Sequence, residues 1–294
     1  MHIAVLQKEV LQFLNPKPNE NFIDCTIGGG GHALAILEKT QPDGKLLGID
    51  ADPNQIENCK LKIENFKKRI ILVADNFANL KTIVKRERFG SIRGILFDLG
   101  LSSWHLEESG RGFTFKKKEP LDMRYNVENS KLTAEKIINY YSFQEIEGIL
   151  REGSQERFSK KIAREIVNKR SQGPITNTFQ LVEIVRKAVP AWYRNQRIHF
   201  ATRTFQALRI AVNNELNNLK KALPRALEIL KPGGRLVVIS FHSLEDQIVK
   251  NFLKENQDLV QVLTRKPLGP TPAEIKINPR CRSAKLRACI KINL

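Results

Sequence analysis

The segment Asp24-Cys25-Thr26-Ile27-Gly28-Gly29-Gly30-Gly31-His32 holds the densest chemical signal in the chain. Consecutive glycines let a backbone turn sharply and approach a ligand closely, with the N–H groups of a following helix facing it. Gly28, Gly30 and Ala33 satisfy G-x-G-x-x-G/A. Asp50 follows about 20 residues later, where a carboxylate can accept from ribose hydroxyls. A glycine-rich turn can also serve strand–helix packing alone, but the placed acid favours a nucleoside-bearing cofactor. Asp24, just before the glycines, opposes a pyrophosphate and suits the amino group of a methionine moiety. It therefore favours S-adenosyl-L-methionine over a nicotinamide dinucleotide. Asp75 and Phe77 would add an acceptor for an adenine edge and a ring to stack on it.

A second signal, Asp98-Leu99-Gly100-Leu101-Ser102-Ser103, follows another β-rich run. It brings one carboxylate and two hydroxyls to the carboxyl end of a strand, where ligands sit in open α/β sheets. Capping the following turn is the other reading of Asp98. Transfer from an activated sulfonium asks mainly for alignment of nucleophile, methyl and sulfur. An exocyclic amine has its lone pair delocalised into the ring, so an acceptor such as Asp98 would favour charge development at nitrogen. Attack through a cytosine carbon needs a nucleophilic cysteine instead. Neither Cys25, in the glycine loop, nor Cys59, in a helical stretch, is placed for that.

These residues need a scaffold, and the patterning supplies one. Strand-like runs at Phe22–Ile27, Lys45–Asp50, Arg69–Ala74 and Ile92–Asp98 alternate with helical stretches at His32–Thr40, Pro53–Phe66 and Phe77–Arg86. That βα rhythm predicts a doubly wound, mostly parallel sheet. After Leu101 it gives way to helical periodicity over 133–150, 155–171, 176–190 and 202–230. Phe205, Leu208, Val212, Leu216, Leu219 and Leu223 form one apolar stripe in the last of these, as core packing does. Strands resume after Lys231-Pro232-Gly233-Gly234, at Arg235–Phe241, 259–264 and 284–293, with a helix over 244–255. The sheet domain is thus split by an inserted helical domain.

The chain has 294 residues and a formal charge of +18. Such a surplus raises encounter with polyanions, nucleic acid first and an anionic membrane second; the other reading is a solvated basic surface. The 265–294 stretch carries eight basic residues against Glu274 alone, and the 111–124 loop five basic against two acidic. With 41% hydrophobic residues the chain can bury a core. No basic n-region with an apolar run opens it and no apolar stretch is of spanning length, so neither a signal peptide nor a membrane segment is expected. Cys25, Cys59, Cys281 and Cys289 show no metal-ligand spacing, which predicts no metal site and a reducing cytoplasm.

The chain resembles the bacterial small-subunit rRNA cytosine-N4 methyltransferases, the ribosomal RNA small subunit methyltransferase H family. The resemblance runs through Asp24–His32, the Asp98 block, Arg111-Gly112-Phe113-Thr114-Phe115 with Pro120-Leu121-Asp122-Met123-Arg124, 201–209, Ile239-Ser240-Phe241-His242-Ser243-Leu244-Glu245-Asp246 and Asn278-Pro279-Arg280. It implies a Rossmann-like class I S-adenosylmethionine-dependent methyltransferase sheet divided as 1–108 and 204–294, with a helical RNA-recognition domain over 109–203. The implied reaction is methylation of N4 of a cytidine in the decoding region of 16S rRNA, with Asp98 at the reacting amine. Cofactor contacts carry over to Gly30, Gly31, His32, Asp50, Phe77, Asp98 and His105, although Trp104-His105 stands where the family usually has Pro-Gln. Arg111, Arg124, Arg203, Arg209, Arg280, Arg282 and Lys285 become candidates for contact with rRNA or an assembled small subunit. Phe113, Phe115 or Trp104 could stack on an unstacked cytosine. A nicotinamide-dependent oxidoreductase is the alternative reading of the glycine fingerprint, and a catalytically silent RNA-binding or assembly factor the alternative reading of the whole. Oligomeric state leaves no mark in the sequence.

Overall fold

The computed structural model describes residues 4–292; residues 1–3 of the opening segment and residue 293 of the last expected strand lie outside it. In chain order, the first part contains α1 (Gln7–Leu14), β1 (Asn21–Asp24), α2 (Gly31–Lys39), β2 (Leu46–Asp50), α3 (Pro53–Lys62), β3 (Ile70–Ala74), α4 (Leu80–Arg86) and β4 (Ile92–Asp98). Then follow α5 (Ser103–Glu107), α6 (Ala134–Tyr140), α7 (Phe143–Ser154), α8 (Ser159–Arg170), α9 (Thr178–Ala188), α10 (Ala191–Arg194) and α11 (Thr202–Asn213). The last part holds α12 (Glu215–Ile229), β5 (Arg235–Ser240), α13 (Ser243–Glu255), β6 (Val260–Val262), α14 (Pro272–Ile277) and β7 (Lys285–Lys291).

Two compact units result, one of Ala4–Gly100 with Leu216–Ile292 and one of Leu101–Glu215. Among the described residues the first unit carries a seven-stranded sheet in the order β3-β2-β1-β4-β5-β7-β6. β1 to β5 are parallel, and β7 pairs antiparallel with both β5 and β6. The parallel strands are apolar on both faces, as strands covered by helices on either side must be. Ile23, Leu47, Ile49 and Val238 enter one core, and Phe22, Leu46, Leu96 and Val237 the other. The strand order reverses direction between β1 and β4, and this switch brings the loops after β1 and β4 together at the carboxyl ends.

The second unit is helical and encloses its own core, with Ile137, Leu150, Ile162, Leu181 and Leu208 fully buried. Ser142 and Asn177 start α7 and α9 as capping boxes, with Glu145 and Gln180 reaching back to the cap N–H. The unit is wider at both ends than the expected 109–203. Leu106 on α5 packs against this core, and Phe205, Leu208 and Val212 on α11 are buried in it.

The single apolar stripe expected over 202–230 is divided. Asn214 takes a left-handed φ of 51° and ends α11. Phe205, Leu208 and Val212 then serve the helical core, whereas Leu219 and Leu223 on α12 serve the sheet. One periodic run had merged two helices, because periodicity counts apolar spacing and does not register a single residue in the left-handed region, which asparagine tolerates.

Candidate active site

β1 ends at Asp24, and the next residues turn into α2. Gly30 caps that helix at φ 78°, where a Cβ would also come within 2.9 Å of Cys59 Sγ. Lacking a side chain, it leaves the first-turn N–H groups of α2 uncapped by its own atoms, the arrangement that favours a ligand at a helix start. Asp50, at the end of β2, accepts from the Gly28 N–H through Oδ2 and from the Asp52 N–H through Oδ1, each at 2.9 Å. These two bonds hold the glycine turn to the end of β2. Asp98, ending β4, receives its place from the Thr26 hydroxyl, which accepts from the Asp98 N–H at 2.6 Å.

His32 on α2 stands between these strand ends. Its Nε2 lies 3.5 Å from Asp98 Oδ2, close enough for attraction. Neither ring nitrogen of His32, nor Asp98 Oδ1, has a hydrogen-bond partner among the described residues. Asp24 is buried and accepts from the Thr26 N–H at 3.1 Å. Burial pushes its carboxyl up to about 7, against the pull of His32. For His32, burial favours the neutral ring, but Asp98, Asp24 and Glu274 together outweigh it and hold the imidazolium above its ordinary range. Unpartnered buried polar atoms are rare in folded proteins and call for an explanation. Here they line a glycine turn ringed by Asp24, Asp50 and Asp98, donor and acceptor chemistry that suits a cationic, ribose-bearing ligand and opposes a pyrophosphate.

Phe77 follows β3 and packs edge-on against Phe97 at 5.5 Å, beside Asp98 in sequence. Asp75 accepts from the Asn76 N–H at 2.7 Å and from Asn79 at 2.9 Å. The cysteines are buried, and burial raises the Cys25 thiol well above its ordinary value and the Cys59 thiol to about 12. Neither is a nucleophile at neutral pH. His242 caps α13, with Nδ1 accepting from the Glu245 N–H at 3.4 Å while Glu245 accepts from the Phe241 N–H at 2.8 Å.

Residues 1–292 match the MraW methylase family. The chain belongs to that family. Relatives include the ribosomal RNA small subunit methyltransferase H of Heliobacterium mobile, 47% identical with 99% of each chain covered. That of Syntrophotalea carbinolica is 45% identical over 98% of this chain and 96% of the relative. A solved structure of a candidate rRNA methylase from Clostridium thermocellum shares the fold, at a TM-score of 0.50 and 14% identity, with 99% of this chain and 100% of that one covered. The chain is thus a methylase on a class I sheet, and among its described residues no helix is long and apolar enough to cross a membrane.

Several residues expected at the site are engaged elsewhere. His105 lies in the helical unit, 5% exposed, with its Nδ1 2.8 Å from Ser102 Oγ and its ring against Phe113 and Tyr125. Those are the surroundings of a core histidine, and Phe113, expected as a stacking platform, is buried with it. Phe115 stacks on His199 at 4.4 Å.

Three expected RNA-contacting arginines are committed internally. Arg124 holds Asp122 in a fork at 2.7 and 2.6 Å and donates to the Val127 and Ser130 carbonyls. Arg209 pairs with Glu215 through two bonds of 2.8 Å. Arg111 donates to the Arg124 and Tyr125 carbonyls and lies over the Trp104 ring. Burial raises the Asp122 carboxyl, but the Arg124 hydrogen bonds outweigh it and hold the pKa low. Arg203 lies beside the buried Tyr193–Glu156 pair. Arg280 and Arg282, on the turn Pro279–Ser283 after α14, are exposed, and Lys285 is half-buried near Asp246. Basic residues on loops read as RNA contacts in sequence because a guanidinium committed to backbone carbonyls looks no different there.

Proposed function

We propose that this chain transfers a methyl group from S-adenosyl-L-methionine to the exocyclic N4 amine of a cytidine in the decoding region of small-subunit (16S) ribosomal RNA. The observation that carries the reading is the buried strand-end cluster, where Asp24, Asp50 and Asp98 surround the glycine turn while His32 and Asp98 keep unpartnered polar atoms. The name carried by the relatives supports the choice of small-subunit rRNA as substrate. In this reading the work is done in the cytoplasm, on free rRNA or an assembled small subunit.

When bound, S-adenosyl-L-methionine supplies a sulfonium methyl that is already activated. Asp24 would hold its ammonium end, and a cation there would lower the pKa that burial raises. Asp50 would accept from its ribose hydroxyls, Phe77 would supply a ring face for its base, and Gly30, Gly31 and His32, at the start of α2, would hold its carboxylate. Asp98 accepts from the cytosine amine, orients its lone pair and stabilises positive charge developing at nitrogen. The helical unit recognises RNA, and the exposed Arg280 and Arg282 with Lys285 contact phosphate.

The deciding experiment is methyl transfer from labelled S-adenosyl-L-methionine to small subunits that lack the modification, with the product nucleoside identified by mass spectrometry. N4-methylated cytidine in the decoding region is expected. Transfer to another atom would overturn the assignment of the amine; cofactor binding without transfer would favour a silent RNA-binding factor.

A further inference from the structure

Leu6, just before α1, adopts φ 52°, a left-handed conformation that leucine rarely takes. Its side chain is fully buried, and its N–H donates to Glu274 Oε1 at 2.7 Å, joining residues 268 positions apart. Glu274 stands on α14, whose start is capped by Thr271. The segment held by this bond lies on the glycine turn. Gln7 Nε2 donates to the Gly31 carbonyl at 3.0 Å, and a methyl group on Gly31 would come within 3.1 Å of the Ala4 Cβ. The Glu274 carboxylate is also near enough to raise the pKa of both His32 and Cys281. A strained backbone persists only where its surroundings over-determine it, and such strain collects at ligand clamps. Here a short hydrogen bond to a carboxylate oxygen does the holding.

We propose that Glu274 is a positioning residue which, by holding Leu6, clamps Ala4–Gln7 against Gly31 and fixes the turn that receives the cofactor. The inference rests on the reading of Gly28–His32 as the cofactor loop. It gives a task to the single acid in a stretch otherwise basic, and to a glycine whose missing side chain makes room for Ala4. Sequence offers no pointer to it, because the partners sit at opposite ends of the chain.

The test uses the full chain, its Glu274→Ala, Glu274→Gln and Gln7→Ala variants, and S-adenosyl-L-homocysteine as the calorimetric probe. Glu274→Ala is expected to weaken binding about tenfold, as loss of a hydrogen bond that leaves a buried donor unsatisfied does. Glu274→Gln keeps an oxygen that accepts from Leu6 and should stay within about threefold of the parent. Gln7→Ala, at an exposed side chain, gives a smaller loss in the same direction. Amide exchange at Gly31 and His32, read without ligand, quickens in Glu274→Ala and not in Glu274→Gln. The KM for the methyl donor rises while kcat at saturation holds. Equal affinity in Glu274→Ala and parent, or Glu274→Gln as weak as Glu274→Ala, overturns the proposal. If the parent binds no probe, the reading of the loop falls instead, and the exchange measurement still decides the clamp.

Discussion

Beside the glycine turn, His32 and Asp98 leave buried polar atoms without hydrogen-bond partners among the described residues, whereas in the helical unit the half-buried charges of Asp122, Arg124, Arg209 and Glu215 are answered by neighbours. His32 and Asp98 keep open atoms a few ångströms apart. Arg124 with Asp122, Arg209 with Glu215 and Tyr193 with Glu156 are each closed by two hydrogen bonds. An unmade hydrogen bond in a buried place costs stability, and a made one returns only part of what desolvation took. The first region therefore carries an energetic debt that a ligand can discharge, while the second spends its charges on holding loops. Residue type alone does not separate binding groups from structural ones; the state of their partners does.

The sharpest way to break this comparison is at Asp98. Asp98→Ala should lower methyl transfer by about 10²–10³-fold, the usual cost of removing a group aimed at developing charge. Single-turnover rates at saturating cofactor read it, and an unchanged rate would return Asp98 to a turn cap. Arg124→Ala should act on the fold instead. It leaves the Asp122 carboxylate half-buried without its fork and costs about 2–3 kcal/mol, read as a lower Tm. The salt dependence of RNA binding should hardly move; a Tm that stays put with a weaker RNA complex would make Arg124 a phosphate contact after all.

Asp24 ties the debt to pH. Its carboxyl rises from 3.8 to about 7 on folding, so the folded state holds this proton more tightly than the unfolded one. Its contribution to stability is most favourable below pH 4, declines as pH rises from about 4 to 7, and stays at its least favourable above that window. Asp24→Asn should therefore raise Tm by a few degrees at pH 8 relative to the parent, with the gain shrinking toward pH 4. The same change should weaken cofactor binding, which calorimetry at pH 8 checks. The smallest effect is expected at Arg282→Ala, where the side chain is exposed. RNA affinity should fall modestly, with the slope of log K against log salt shallower by about 1 and Tm unchanged.

Much of the scaffold is legible in the chain. The strands ending in Asp50, Ala74 and Asp98 and the glycine turn before α2 are local patterns, because apolar runs and glycine positions dictate strand burial and backbone turns residue by residue. The short helices α1, α5 and α14 leave no such mark, being too brief for a period to show. At the candidate site, Asp24, Gly28–His32, Asp50 and Asp98 come together because each ends a strand or starts a helix at the same edge of a parallel sheet. His105 and Arg111, Arg124 and Arg209 read as ligand contacts because their types allow it, yet their neighbours were chosen by packing.

The sequence by itself determined the βα rhythm, the glycine turn and the strand-end carboxylates, since these are written in spacing over a few tens of residues, and it carried the family resemblance in motif blocks ordered from Asp24 to Arg280. Only the tertiary structure decided which arginines are already paired, where Asn214 divides the long apolar stripe between two cores, and that Glu274 reaches Leu6 at the other end of the chain. The physical reason is range. Backbone conformation and burial periodicity are set by near neighbours, whereas whether a buried charge is satisfied depends on groups that only the folded chain brings within about 3 Å of it.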